Sequence, residues 1–134
     1  MTNLYSYQIK TDKKQDLIFL DDQIKDALSK SNVQDGIMLI YSPHTTAGIT
    51  INENADPDVR RDLNWGLNKY FPNEPNYVHF EGNSDGHMKS SLVGASESLI
   101  IADGQAVLGR WQSIYFAEFD GPRNRTVHIK IIEG

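Results

Sequence analysis

Residues 79–94 concentrate the side chains that can do chemistry. The segment reads HFEGNSDGHMKSSLVG, with two histidines, two carboxylates, an amide, a lysine and three serine hydroxyls. Gly82 and Gly86 allow sharp turns that a β-carbon would hinder. Ser84 or Asp85 can cap a short helix that Gly94 ends. This composition predicts one wall of a functional site. The alternative is a polar loop that leads into a capped helix, and the segment by itself leaves both interpretations open.

The start of this predicted helix is suited to an anion. Free N–H groups and the positive end of the helix dipole meet there. His87 lies in the first turn, and Ser90 and Ser91 follow at three and four residues, which places them on the same face. Lys89, two residues beyond His87, is a candidate donor to phosphate, and Asp85 is a candidate carboxylate partner.

Three histidines are candidates for one site. His44 follows an apolar strand, and His79 and His87 lie eight residues apart across a glycine-bearing turn. With Glu81 and Asp85 nearby, they would suit zinc or another divalent ion that tolerates imidazole. No HExxH motif is present. The alternative is a metal-free set that acts as acid, base and phosphate donor.

A second polar group, Asn52 to Asp56, ends the following strand. Helix capping explains Asp56 but not Glu53, so Glu53 is a candidate base or metal-bound carboxylate. Asn52 is a candidate substrate contact.

Two arginines, Arg123 and Arg125, follow a tight turn near the end of the chain. Each can hold a phosphate. The interpretation that we prefer is surface ion pairing with Glu118 or Asp120, worth under about 1 kcal/mol.

Composition limits the classes of function. The chain has 134 residues, the size of one domain spanning 1–134, and carries a net charge of −5. A net negative charge argues against sequence-independent binding to nucleic acid, because such binding depends on basic contacts to the phosphates. Cysteine is absent, so thiolate–metal sites and disulfides are excluded. With neither a signal-like amino terminus nor an apolar run long enough to span a bilayer, the sequence predicts a cytoplasmic protein without a membrane partner.

Periodicity predicts an α+β fold in the order β, β, α, β, β, α, short α and four β. We expect one compact domain with a mixed or antiparallel, sandwich-like sheet, two longer helices and one short helix. The run at 36–41 is almost entirely apolar and predicts a central strand covered on both faces. Asp21 or Asp22 is expected to cap the first helix, and Asp56-Pro57 to begin the second.

The order and content of five sequence blocks resemble those of the YjbQ family, also called UPF0047, over nearly the whole chain. The blocks are His44-Thr45-Thr46-Ala47, Asn52 to Arg60, His79-x-Glu81-Gly82, His87-x-Lys89-Ser90-Ser91-Leu92-x-Gly94 and Gly109-x-Trp111-Gln112. One position departs from the family pattern, because Arg110 stands where the family usually has threonine.

The resemblance implies a compact α+β fold built on a β-sandwich and a homotrimer with sites near the subunit interfaces. It implies that His44, His79 and His87 belong to the site, with a metal as one candidate occupant. It also implies a weak thiamine-phosphate synthase activity, which joins a pyrimidine-methyl diphosphate to a thiazole phosphate and releases pyrophosphate.

Three functional hypotheses follow. The first is a transferase-like enzyme whose His-rich site acts on a phosphorylated small molecule, with thiamine-phosphate synthesis as the assignable reaction. The second is a metal-dependent hydrolase, with zinc favoured over magnesium because imidazole dominates the ligands. The third is a non-catalytic trimeric module that binds a small anion or metal. The candidate catalytic residues are His44, Glu53, His87 and Lys89; the candidate substrate contacts are Thr45, Asn52, Asp85, Ser90 and Ser91; the candidate metal ligands are His44, His79 and His87.

Overall fold

The described part of the chain forms eight strands and three helices in the predicted order. The structure is a computed structural model that describes residues 2–134. The strands are β1 (Leu4–Lys10), β2 (Asp16–Phe19), β3 (Gly36–Tyr41), β4 (Ala47–Glu53), β5 (Ser96–Ala102), β6 (Gln105–Ala106), β7 (Gln112–Glu118) and β8 (Asn124–Glu133). The helices are α1 (Asp21–Ser31), α2 (Pro57–Tyr70) and α3 (Ser84–Val93). Within this part of the chain, no helix is long and apolar enough to cross a membrane.

The strands form two sheets in which every pair is antiparallel. The larger sheet has the order β1-β8-β3-β5-β6, and the smaller has the order β2-β7-β4. This arrangement confirms the predicted α+β class. The third helix is ten residues long, only one residue shorter than α1, so it is less short than expected.

The main core lies between the two sheets and α1. Alternate residues of β8, Val127, Ile129 and Ile131, point into it, and Ile114 and Phe116 of β7 meet them from the smaller sheet. Because strand residues alternate between faces, the other side of β7 points away from this core.

That other side of β7 carries a second apolar cluster. Its buried members are Leu17, Tyr115, Ala117 and Phe119, and Leu63 and Leu67 of α2 and Val93 of α3 pack against it. No residue of α2 is fully buried, and Tyr70, its last residue, is 71% exposed.

Helix starts depend on more than the local sequence. Asp56 caps α2 as predicted, because its Oδ1 accepts a hydrogen bond from the N–H of Asp58 at 2.9 Å. The predicted cap of α1 is wrong: Leu20 occupies the N-cap and Asp21 is already helical. The backbone N–H of Leu20 donates to Ile114 at 2.9 Å, and this contact with β7 fixes where the helix begins.

Within a single chain, the prediction that both faces of β3 are covered is also wrong. The strand is central, paired with β8 and β5, but only Met38 and Ile40 are buried. Ile37, Leu39 and Tyr41 point to the outer face of the larger sheet and are 37–53% exposed. A continuous apolar run therefore gave the correct position in the sheet but not the environment of each face.

Candidate functional site

His44 lies directly after β3, where the chain crosses from the larger sheet to the smaller one. Its Nε2 accepts a hydrogen bond from the backbone N–H of Thr126 in β8 at 2.9 Å. Its ring meets Phe116 edge-on, with centroids 6.4 Å apart. These contacts orient the imidazole against both sheets.

The surroundings of His44 favour its neutral form. Burial lowers its pKa from the ordinary value, and the positive charge of Arg125 lowers it further. Since Nε2 is already an acceptor, the proton of the neutral ring resides on Nδ1. In this arrangement His44 is a hydrogen-bond donor through Nδ1 rather than a ligand with a free lone pair.

A buried ion pair joins β7 and β8 beside His44. The Arg125 guanidinium bonds both carboxylate oxygens of Glu118, and its Nη2 also donates to Thr46 Oγ1 at 2.9 Å. Burial, the largest influence, opposes ionisation of Glu118. The hydrogen bonds from Arg125, Thr11 and the Asp120 N–H together outweigh it and hold the Glu118 pKa below its ordinary value. The pair is therefore charged, and it is buried rather than on the surface as predicted.

Arg123 forms a more exposed ion pair at the same edge. Its Nη2 lies 2.9 Å from Asp120 Oδ2, and its side chain is 47% exposed. Asn83 Nδ2 donates to the same carboxylate oxygen at 2.6 Å. Burial opposes ionisation of Asp120, but the bonds from Asn83 and Arg123 lower its pKa overall. Asn83 thus ties the start of α3 to the turn after β7.

Glycines let α3 approach this edge. Gly82 has φ +72°, so the chain turns there as predicted. Gly86 is required for close packing rather than for a turn, because a β-carbon there would lie 2.9 Å from the Phe119 carbonyl oxygen. The predicted cap of α3 is wrong: Asn83 occupies the N-cap without a side-chain cap bond. Its side chain is engaged with Asp120 instead.

These elements enclose a pocket of about 300 Å³, which we call the His–Arg pocket. It brings together His44 and His87, the two histidines from different parts of the sequence, and adds both arginines. Its lining residues are Pro43, His44, Thr45, Thr46, Glu81, Asn83, His87, Arg123 and Arg125.

His87 also faces a neighbouring groove of about 610 Å³, which we call the α3 groove. His79 lies in this groove, with its ring centroid 5.2 Å from that of His87 and the planes at 87°. The groove is lined by Asn76, Tyr77, Val78, His79, Ser84, His87, Met88 and Ser91. His87 is therefore shared by a charged pocket and a more apolar groove.

Several predicted site residues lie elsewhere. Lys89 is 2% exposed, and its Nζ donates to Gln15 Oε1 at 2.8 Å and Asn68 Oδ1 at 2.6 Å. Burial lowers its pKa. Asp85 is buried too and pairs with Lys14 at 3.0 Å, while Ser90 Oγ donates to the Ala47 carbonyl at 2.8 Å. These three side chains hold α3 against its neighbours.

Asn52 and Glu53 lie at the far end of β4 from His44. At about 3.3 Å per strand residue, the seven-residue strand separates its ends by roughly 20 Å. Glu53 Oε2 accepts from the Asp56 N–H at 3.2 Å, and Asn52 Oδ1 accepts from the Glu53 N–H at 2.8 Å. Within one chain, these groups are not part of the His–Arg pocket.

The sequence did not indicate Asn83 or Thr46 as parts of the site, and it offered Glu118 and Asp120 only as surface partners of the arginines. Glu118, however, alternates with Ile114 and Phe116 on one face of β7. A carboxylate on a buried face requires a partner, so that alternation was the available signal. That partner is Arg125, at the start of β8 in the larger sheet.

Chemically, the His–Arg pocket presents hydrogen-bond donors of several kinds to one small volume. Neutral His44 offers an Nδ1–H, Arg123 offers a guanidinium whose ion pair is exposed, and Thr45 offers an exposed hydroxyl. The amino end of α3 adds the positive end of the helix dipole at the pocket wall. This donor set suits an anionic oxygen group.

Comparisons with known proteins agree with one another. Residues 5–134 match the family model described as UPF0047 protein YjbQ-like. A UPF0047 protein of Methanocaldococcus jannaschii is 57% identical over 129 residues, covering 96% of this chain and 94% of that protein. YugU, a UPF0047 protein of Bacillus subtilis, is 49% identical over 130 residues, covering 96% and 98%.

Solved structures show the same fold. The crystal structure of an uncharacterised protein of this family from Clostridium acetobutylicum has a TM-score of 0.93 at 52% identity and covers 96% of this chain and 99% of that chain. A YbjQ-like protein of unknown function from Sulfolobus solfataricus also reaches a TM-score of 0.93, at 26% identity over 98% and 96% of the two chains. The chain described here therefore belongs to the YjbQ family, UPF0047.

Proposed function

We propose that the His–Arg pocket binds the anionic group of a phosphorylated small molecule and that the protein is an enzyme acting on it. The observation that carries this proposal is the convergence of His44, His87 and Arg123 with the start of α3 on one pocket of about 300 Å³. Phosphate oxygens accept from imidazole, guanidinium and helix N–H groups alike.

The two arginines have different roles in this proposal. Arg125 is held by buried Glu118, so its charge is already compensated. In the Arg123–Asp120 pair the arginine side chain is about half exposed. Exposed ion pairs contribute under about 1 kcal/mol to stability. An incoming phosphate can therefore exchange with Asp120 at little cost. Arg123 is the cation that meets the ligand, and Arg125 orients Thr46 and the β8 backbone.

Thiamine-phosphate synthesis is the specific reaction that we propose. The bond between the pyrimidine methylene and the diphosphate oxygen breaks, the electron pair leaves with pyrophosphate, and the thiazole nitrogen bonds to the methylene. Negative charge grows on the leaving oxygen, where positioned donors are most effective. His44, His87 and Arg123 are the donors in the pocket. The α3 groove beside His87, with Tyr77, Val78 and Met88, offers apolar surface for a ring.

A metal-dependent hydrolase is the second candidate, and the His79–His87 pair is the observation that favours it. Imidazoles that share a tetrahedral zinc have ring centroids roughly 5 Å apart, which is similar to the observed 5.2 Å. Glu81 Oε1 lies 3.9 Å from His79 Nε2. His44 does not fit this ligand set, because its Nε2 accepts from Thr126 and its Nδ1 carries the proton. Among residues 2–134, no group of three or more histidine or acidic side chains is arranged to hold a metal.

With zinc bound, such a site would supply a water of lowered pKa. His79 and His87 are the two imidazoles that would hold the ion, and Glu81 is the carboxylate beside them. Magnesium suits this donor set less well because it prefers carboxylate and carbonyl oxygens.

We also propose that the chain assembles as a homotrimer. The third candidate function, a non-catalytic binding module, rests on the same trimer. The support is the outer face of the larger sheet, which exposes Leu4, Ile37, Leu39, Tyr41, Ile100 and Ile132. Exposed apolar surface of this extent is typical of an interface.

Calorimetric titration with pyrophosphate tests the main proposal. Native protein should bind it, His87→Ala should bind it at least about tenfold more weakly, and Arg123→Gln should weaken it to a similar degree. His128→Ala is the matched control, because His128 bonds Ser6 on the other face of β8. If His87→Ala binds pyrophosphate as tightly as native protein does, the His–Arg pocket is not the binding site. Release of pyrophosphate from the two thiamine precursors separates an enzyme from a binding module.

Elemental analysis decides between the candidates. About one zinc per chain, lost in His79→Ala and His87→Ala but retained in His44→Ala, would favour the hydrolase. Metal-free protein that binds pyrophosphate would favour the first proposal.

A further inference from the structure

The molecule has a second cavity that shares no residue with the His–Arg pocket or the α3 groove. It has a volume of about 610 Å³ and lies between α1 and the β5–β6 hairpin, and we call it the α1 cavity. Small-molecule sites range over about 300–1,000 Å³. One helix face forms one wall, with Asp21, Ile24, Lys25, Leu28, Ser29 and Asn32 at helical spacing.

The opposite wall is fixed to the rest of the fold before any ligand arrives. Gly104, in the tight turn between β5 and β6, donates its N–H to the Gln34 carbonyl at 2.9 Å. A β-carbon at Gly104 would lie 3.0 Å from Gln34 Oε1, so the Gln34 side chain packs over the turn. Val33, which is 4% exposed, lines the cavity beside them. The cavity is therefore a preformed feature between two anchored elements.

Apolar and polar groups are separated within the cavity. Ile24, Leu28, Val33, Ala106 and Leu108 provide an apolar surface that continues into the main core. The polar lining comprises two charged groups at one end of α1, Asp21 and Lys25, and carboxamides at the other end. This combination of an apolar body with a few polar anchors is typical of small-molecule sites.

The charges determine which ligand fits. Asp21 Oδ2 accepts a contact from Ser113 Oγ at 3.5 Å, whereas Lys25 makes no side-chain hydrogen bond or ion pair within the described residues. The ammonium of Lys25 is thus the uncommitted charge on the lining. We propose that the α1 cavity is a second binding site, for a small organic anion that has an apolar ring body and one acidic group.

The test uses a pair of fluorescent probes that differ only in charge. 8-Anilinonaphthalene-1-sulfonate has an aromatic body and one acidic group, and N-phenyl-1-naphthylamine has the same body without the sulfonate. Lys25→Met should weaken the sulfonate probe by about two- to fivefold and leave the neutral probe unchanged. Asp21→Asn should strengthen the sulfonate probe, since it removes a nearby negative charge.

Filling the cavity tests the location. Ala106→Phe should weaken both probes by at least about tenfold, because its ring occupies the apolar surface. If a thermal melt shows that Ala106→Phe does not fold, Ser29→Trp fills the cavity from the exposed side of α1 and decides the question. Tyr70→Ser, on the exposed end of α2, is the control and should change neither affinity. Probe affinities within twofold of native in a folded cavity-filling variant, or a loss confined to Tyr70→Ser, would overturn the proposal.

Discussion

The backbone N–H of Thr126 donates to Nε2 of His44 at 2.9 Å. This bond joins the loop after β3 to β8 and fixes which nitrogen of His44 can carry a proton in its neutral form. A histidine that is neutral and a donor differs functionally from one that is a metal ligand. The contact therefore separates His44 from the His79–His87 pair, although all three were predicted to act together.

The first prediction concerns the protonation of His44. We expect ¹⁵N spectra at pH 7 to show Nδ1 protonated and Nε2 unprotonated, because the Thr126 N–H occupies Nε2. The ring should remain neutral below pH 6.5, since burial and Arg125 lower its pKa. His128, partly exposed on the other face of β8 with its Nδ1 against Ser6 Oγ, is the internal comparison. An Nε2–H tautomer for His44 would contradict the assignment.

The second prediction concerns the buried Glu118–Arg125 pair. Glu118→Gln or Arg125→Met leaves one buried group without its charged partner, so each should lower the free energy of unfolding by about 3–5 kcal/mol. The double variant Glu118→Met/Arg125→Met removes both charges and should recover part of that loss. Urea denaturation of the four proteins measures the coupling. A double variant whose loss equals the sum of the single losses would show that the pair has no coupling energy.

The third prediction follows from the pKa of Glu118. Its folded-state pKa is below the ordinary 4.5, so the unfolded chain takes up the proton first as pH falls. The stabilisation is complete above about pH 4.5 and is lost as pH falls through the folded-state pKa. Urea midpoints measured between pH 3 and 7 should decline on acidification, and less steeply in Glu118→Gln. Equal slopes in the two proteins would rule out Glu118 as a source of the pH dependence.

Local patterns predicted the parts of this fold that local chemistry decides. The alternation of Val127, Ile129 and Ile131 gave the buried face of β8, and Asp56-Pro57 gave the start of α2. The start of α1 was mispredicted because a bond between Leu20 and β7 decides it. Such a contact depends on which strand lies alongside, which propensity does not encode.

In the candidate site, too, local sequence patterns indicated some placements, and tertiary contacts decided the others. His44 and His87, two of the histidines that the sequence marks as candidates, both line the His–Arg pocket. Lys89 is only two residues from His87, yet its side chain points into the contact between α2, α3 and the β1–β2 loop. Successive helix positions differ by about 100° in direction, so proximity in sequence did not imply a shared site.

The fourth prediction separates Lys89 from the pocket. Lys89→Met should leave the affinity for pyrophosphate within about twofold of native, because its ammonium donates to Gln15 and Asn68 instead. It should lower the free energy of unfolding by about 1–2 kcal/mol through the loss of these bonds. His87→Ala should show the reverse, weak binding with a nearly native unfolding midpoint. A large loss of pyrophosphate affinity in Lys89→Met would show that Lys89 contributes to the binding site.

The last prediction concerns the outer face of the larger sheet. Ile37 lies opposite both Ile100 and Ile132 in the sheet register, and the three are 53–63% exposed in the isolated chain. If this face forms the trimer contact, native protein should have three times the 15.1 kDa chain mass by light scattering. Ile37→Lys should then release monomers, because each copy would bury a charge without a partner. Trp65→Lys, also exposed but on α2, is the matched control and should remain trimeric. A monomeric native protein would contradict the trimer, and a trimeric Ile37→Lys would place the interface on another face.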